Sequence, residues 1–155
     1  MPNNLTTYLH DHLAGARFAI SLLADLAEQK LDDDLAQFAA TLRSEIEDDK
    51  SALEGVLTRL ESQPSVIKEA SAWLTQKVGR IKLQLSSDPF SIFESLEVLS
   101  LGILGKLALW NALKRLPVDH DAKDGLDFSS LIDRATQQHA KVEERRIAYA
   151  ERVLK

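Results

Sequence analysis

Four stretches of this chain carry apolar residues at alternating steps of four and three, each sustained far longer than a strand runs. That rhythm follows the 3.6-residue helical turn and lays one apolar stripe along each segment. In the first, Leu5, Leu9, His12, Ala16, Ala19, Leu23 and Leu26 keep the register, and only His12 breaks its apolar character. The second, from about Asp34 to Glu61, repeats the pattern in Leu35, Ala39, Leu42, Ile46, Asp49, Leu53, Val56 and Leu60, with Asp49 as the interruption. A third, about Pro89 to Leu116, is apolar on most sides through Phe93, Leu96, Leu99, Leu101, Ile103, Leu104, Leu107, Leu109, Trp110 and Leu113. In the fourth, about Leu126 to Leu154, the predicted seam is Phe128, Ile132, Ala135, His139, Val142, Arg146, Tyr149 and Val153, with His139 and Arg146 in otherwise apolar positions.

The punctuation between the segments sets their order in space. Thr6 or Asn4 is suited to cap the first helix, and Leu31-Asp32-Asp33-Asp34 ends it while offering N-cap oxygens and negative charge to the next. So short a turn between two long helices forces them side by side and antiparallel. Gln63-Pro64 stops the second helix, and a shorter one is predicted over about Ser65 to Leu85, with Ile67, Ala70, Trp73, Leu74, Val78 and Ile81 on its apolar face. Ser86-Ser87-Asp88-Pro89 then caps and starts the third long helix. Pro117 to Gly125 reads as a polar loop. Its resemblance to a calcium loop fails, because Lys123 holds a ligand position and Ser130 stands where the closing Glu belongs. The expected fold is all-α over residues 1–155 as one domain: a four-helix bundle running up-down-down-up, with an additional helix in the long crossover.

The 155 residues are enough for a stable core, since a chain of this length buries roughly 68–70% of its unfolded surface. The absence of cysteine removes disulfides, iron–sulfur clusters and thiolate chemistry together. A net charge of -5 argues against nucleic acid as a partner. Glu94, Glu97 and Lys106 interrupt the most apolar stretch, which argues against a membrane span. The first residues lack a basic run followed by an apolar one, so a cytoplasmic location is expected. The all-round apolar third helix needs cover, from the crossover helix or from a second copy in a homodimer or other homo-oligomer. Gly102 and Gly105 cost about 1 kcal/mol each against Ala in a helix interior. They predict close backbone approach, with a small apolar ligand in the gap as the alternative.

The opening Tyr8-Leu9-His10-Asp11-His12-Leu13-Ala14-Gly15-Ala16, followed by a leucine-rich helix, resembles the first helix of uncharacterised bacterial ferritin-like proteins. The helix order extends that resemblance over nearly the whole chain. Di-iron members of that class place a Glu on each of two helices and Glu-x-x-His on each of the other two. Here no Glu stands three residues before any histidine: Thr7 precedes His10, Leu9 precedes His12, Pro117 precedes His120 and Thr136 precedes His139. His10 and His12, two apart, lie on different faces of a helix and cannot share an ion. Counting turns from the helix ends puts His12, Glu45 to Asp49, Glu97 and Glu143 to Arg146 where the ligands would lie, with Arg146 in place of an imidazole. A guanidinium stays protonated and ligates no cation. The expectation is therefore a non-catalytic binding or interaction module without a cofactor, in which a buried layer of His12, Asp49, Glu97 and Arg146 stands in for the metal. The alternative is an iron or manganese oxidase or iron-handling protein with an atypical ligand set drawn from His12, Asp49, Glu97, Glu45, Glu143 and His139.

Overall fold

A computed structural model of the protein describes residues 3–61, 88–117, 123 and 125–155, and among them the regular structure is four long helices. These are α1 (Asn4–Glu28), α2 (Asp33–Glu61), α3 (Pro89–Arg115) and α4 (Phe128–Val153). The predicted crossover helix, Trp73, and most of the Pro117–Gly125 loop with His120 lie outside the described residues.

Each start has an identifiable cap. Asn3, not Thr6 or Asn4, caps α1, its side chain accepting from the Leu5 N–H at 3.1 Å. In the tight turn before α2, the Gln29 side-chain oxygen accepts from the backbone of Leu31 and Asp32, and Asp32 Oδ1 then accepts from Leu35 N at 2.9 Å. Asp88 takes the N–H groups of Phe90 and Ser91, both at 3.0 Å, with Pro89 fixing the first turn of α3. Asp127 does the same for Ser130, so α4 begins two residues later than the apolar pattern alone suggested.

Side-chain pairs give the helix directions. His10 near the start of α1 meets Glu61 at the end of α2 at 2.8 Å, so these two are antiparallel. Lys114 near the end of α3 reaches Ser129 at the start of α4, while Ser100 meets Glu143 further along, so this pair is antiparallel too. Along the α2–α4 seam, Asp34 faces Arg145 and Asp49 faces Arg134, again in opposite senses. Helices α2 and α3 therefore run the same way.

The interior is built from Leu9, Leu23 and Leu26 of α1, Leu35 and Val56 of α2, Leu96, Leu109 and Trp110 of α3, and Val142 of α4, all almost fully buried. Leu101 and Leu104 on the far side of α3 are 65% and 42% exposed. No helix among the described residues is long and apolar enough to cross a membrane.

Candidate functional site

Asp49 follows Leu42 and Ile46 in the register that α2 turns inward, and Leu53 and Val56 continue it. The helix therefore delivers a carboxylate into the core, where it is 3% exposed. A buried charge survives only when paired and hydrogen-bonded. Asp49 Oδ2 accepts from Lys106 Nζ of α3 at 2.5 Å, and Oδ1 accepts from the Arg134 guanidinium of α4. Lys106 also donates to Gln138 Oε1, and Gln138 Nε2 donates to Glu45 Oε2 at 2.9 Å. Three helices are thus tied through one carboxylate. Burial pushes the Lys106 ammonium below its ordinary pKa, opposed by the charge and hydrogen bond of Asp49.

A second polar cluster lies between α3 and α4. Ser100 Oγ donates to Glu143 Oε1 at 2.5 Å and lies 3.2 Å from His139 Nε2. Arg146 grips the same carboxylate through two bonds of 2.7 and 2.8 Å, and its other nitrogen lies 3.6 Å from Glu97. These bonds, from Arg146 first and Ser100 second, pull the Glu143 carboxyl down to about 2. Serine, histidine and glutamate in reach of one another suggest a hydrolase triad, but the order is wrong. Glu143 binds the serine itself, and a carboxylate held so low is too weak a base to take a hydroxyl proton at neutral pH.

The layer expected from the sequence is accordingly divided. Asp49 is buried, but its cations are Lys106 and Arg134 instead of Arg146. Arg146 serves Glu143 and Glu97, and the Glu97 side chain is half exposed because Leu96, Leu99 and Ile103 define the inward face of α3. The inward face of α4 passes through Ala135, Gln138 and Val142, one position away from His139. His12 joins neither cluster: its ring packs edge-on against Tyr8 with centroids 4.6 Å apart, and burial lowers its pKa against the opposing charge of Asp11. Of the alternative ligands, Glu45 belongs to the Asp49 network while Glu143 and His139 belong to the other. Among the described residues no three His, Asp or Glu side chains are grouped so as to hold a metal ion. Lys106, Arg134, Gln138 and Ser100, which make most of the contacts, were not among the candidates.

Helices α1, α2 and α3 also line a partly open, mainly apolar cavity of about 170 Å³. Asp49 and Lys106 form part of its wall, with His12 and Gly15 from α1 and Gly102 and Trp110 from α3. Among the described residues a Cβ at Gly102 or Gly105 of α3 would meet nothing within 4 Å; the neighbours expected to approach these glycines, the crossover helix or a second copy of the chain, lie outside those residues. A Cβ at Gly15 across the cavity would likewise meet nothing within 4 Å. Trp110 is 1% exposed, and its indole N–H is buried without a hydrogen-bond partner.

Compared with known proteins, the chain matches no family model, no curated protein and no solved structure.

Proposed function

We propose that this chain is a ferritin-like bundle, running up-down-down-up with a fifth helix in its crossover, that has given up redox chemistry and acts as a binding module. The antiparallel α1–α2 and α3–α4 pairs and the common direction of α2 and α3 support the arrangement. The observation that carries the functional reading is the state of Asp49: both oxygens of the most buried carboxylate among the described residues are engaged by the chain's own cations. A divalent ion placed there would displace those bonds and face two positive groups at close range in a weakly screened interior. An oxidase would need Glu45, Glu143 and His139 to converge, and they are divided between two networks. Self-association through the far side of α3 belongs to the same reading, supported by the exposed Leu101 and Leu104.

Elemental analysis of protein purified without chelators tests the proposal. No stoichiometric iron, manganese or zinc is expected, and the melting temperature is expected to be the same with and without EDTA. Stoichiometric metal whose removal lowers the melting temperature would contradict it.

A further inference from the structure

Helix α3 carries a second helical rhythm on the side turned away from the bundle. Phe90, Glu94 and Glu97 begin it, Leu101, Leu104 and Ala108 continue it, and Asn111 and Arg115 end it, at alternating steps of four and three. All these positions are exposed among the described residues, whereas Leu96, Leu99, Ile103 and Trp110, interleaved with them, are buried. Steps of four and three sustained over about three heptads build a straight seam of the kind that packs on another helix. The bundle does not use this seam: the polar links from α3 to α2 and α4 run from Ser100 and Lys106, and Leu101 and Leu104 lie outside the wall of the cavity between α1, α2 and α3.

Charge is laid out unevenly along the seam. Its first half is acidic through Glu94 and Glu97, its middle is apolar through Leu101 and Leu104, and its end carries Asn111 and Arg115 with Lys114 alongside. Two copies of α3 laid in the same direction would stack acid on acid and base on base. Laid antiparallel, they set the acidic half of each against the basic end of the other, and the leucines meet at the centre. A surface complementary to itself under a two-fold rotation is what closed pairing of identical chains requires. The same seam positions then fix the register. Leu101 meets the partner's Leu104, Glu94 meets the partner's Asn111, and Phe90 meets the partner's Arg115, a guanidinium against an aromatic ring.

We infer that a second copy of this chain docks on the exposed face of α3, antiparallel and centred on Leu101 and Leu104. This pairing rests on the reading that the chain associates with itself through the far side of α3, and it adds the direction and the register. Polar residues inside the seam lower the affinity and exclude other alignments, as a single Asn does in a coiled coil.

The chain has no cysteine, so single cysteines can report the register. In sedimentation equilibrium the full chain should dimerise, and Leu101→Glu, which sets a charge from each copy in the apolar centre, should weaken the dimer at least about ten-fold without lowering the melting temperature. Phe90→Cys and Arg115→Cys, mixed and oxidised, should give the mixed disulfide in excess over either symmetric one, because antiparallel pairing brings positions 90 and 115 together and holds the two copies of position 90 about 40 Å apart. A dimer that Leu101→Glu abolishes but that cross-links Phe90→Cys to itself would overturn the antiparallel pairing and leave self-association through α3 standing. A dimer undiminished by Leu101→Glu would overturn both. A chain that stays monomeric would also overturn both, and a melting temperature lowered by Leu101→Glu would then give the face to residues 62–87 of the same chain. Metal content is measured separately and decides only the metal-free reading.

Discussion

The Asp49 and Glu143 networks use the same chemistry at different depths. Each centres on one carboxylate that receives two or more donors from its own or neighbouring helices, and each includes an arginine of α4. Asp49 is closed off from water, whereas Glu143 sits near the surface, with Arg146 linking it to a half-exposed Glu97. The difference teaches that burial, more than the number of bonds, decides what a charge network does to a fold. Near the surface a broken pair is replaced by water. In the interior a broken pair leaves a stranded charge.

Removing the deep carboxylate is therefore the most severe test of the comparison. Asp49→Ala leaves Lys106 and Arg134 without their common partner and should cost about 3–5 kcal/mol in urea unfolding. A loss below 1 kcal/mol would mean that the network relaxes into solvent and that depth is irrelevant. Tyr149 gives an intermediate case: its hydroxyl donates to Asp32 Oδ2 at 2.8 Å across the α2–α4 seam, and burial together with that bond raises its pKa to about 12. Tyr149→Phe should cost about 1 kcal/mol and should also loosen the turn that Asp32 caps, seen as faster amide exchange at Leu35.

Glu143→Gln should cost less, about 1 kcal/mol or under at pH 7, because water replaces much of what Arg146 provides. Its signature is in the pH profile. The folded carboxyl titrates near 2 against an ordinary 4.5, so its contribution is present above about 4.5 and is lost as the pH falls toward 2. The glutamine variant should lack that part of the acid limb, and an unchanged limb would show that Arg146 does not hold Glu143 in solution. The smallest effect is expected from Glu97→Gln, within about 0.5 kcal/mol of the parent.

The four long helices, their order and their approximate ends were legible in the apolar rhythm and in Asp88-Pro89 and Asp32, since periodicity and capping are local properties. The inward position of Asp49 was legible for the same reason: it occupies a place in a register that leucines otherwise hold. Its partners were harder to find. Lys106 stands in the sequence Leu99, Ile103, Lys106, Trp110, Leu113, whose steps of four and three mark it as core, but a lysine amid apolar residues reads first as a solvated break. In α4 two registers one residue apart both carry polar groups, and the choice between His139 and Gln138 depends on how the helix is rotated against α3. That rotation is set by packing between segments distant in sequence, which no local pattern encodes. For Gly102 the cost was readable, but what lies beside it belongs to the tertiary arrangement.

A buried ion pair contributes little net stability over apolar residues of similar size, so its retention here points to a role in fixing how α2, α3 and α4 align. The most direct measurement of the account is a double-mutant cycle on Asp49→Leu and Lys106→Met by urea unfolding. Each single change should cost several kcal/mol, on the order of 3, while the double variant should lose clearly less than the sum, because Lys106 is then no longer stranded and Arg134, whose side chain is 35% exposed, can turn its charge to water. Losses that simply add would show that Asp49 and Lys106 are not coupled, and would contradict the proposed balancing of this carboxylate by the chain's own cations in place of a metal.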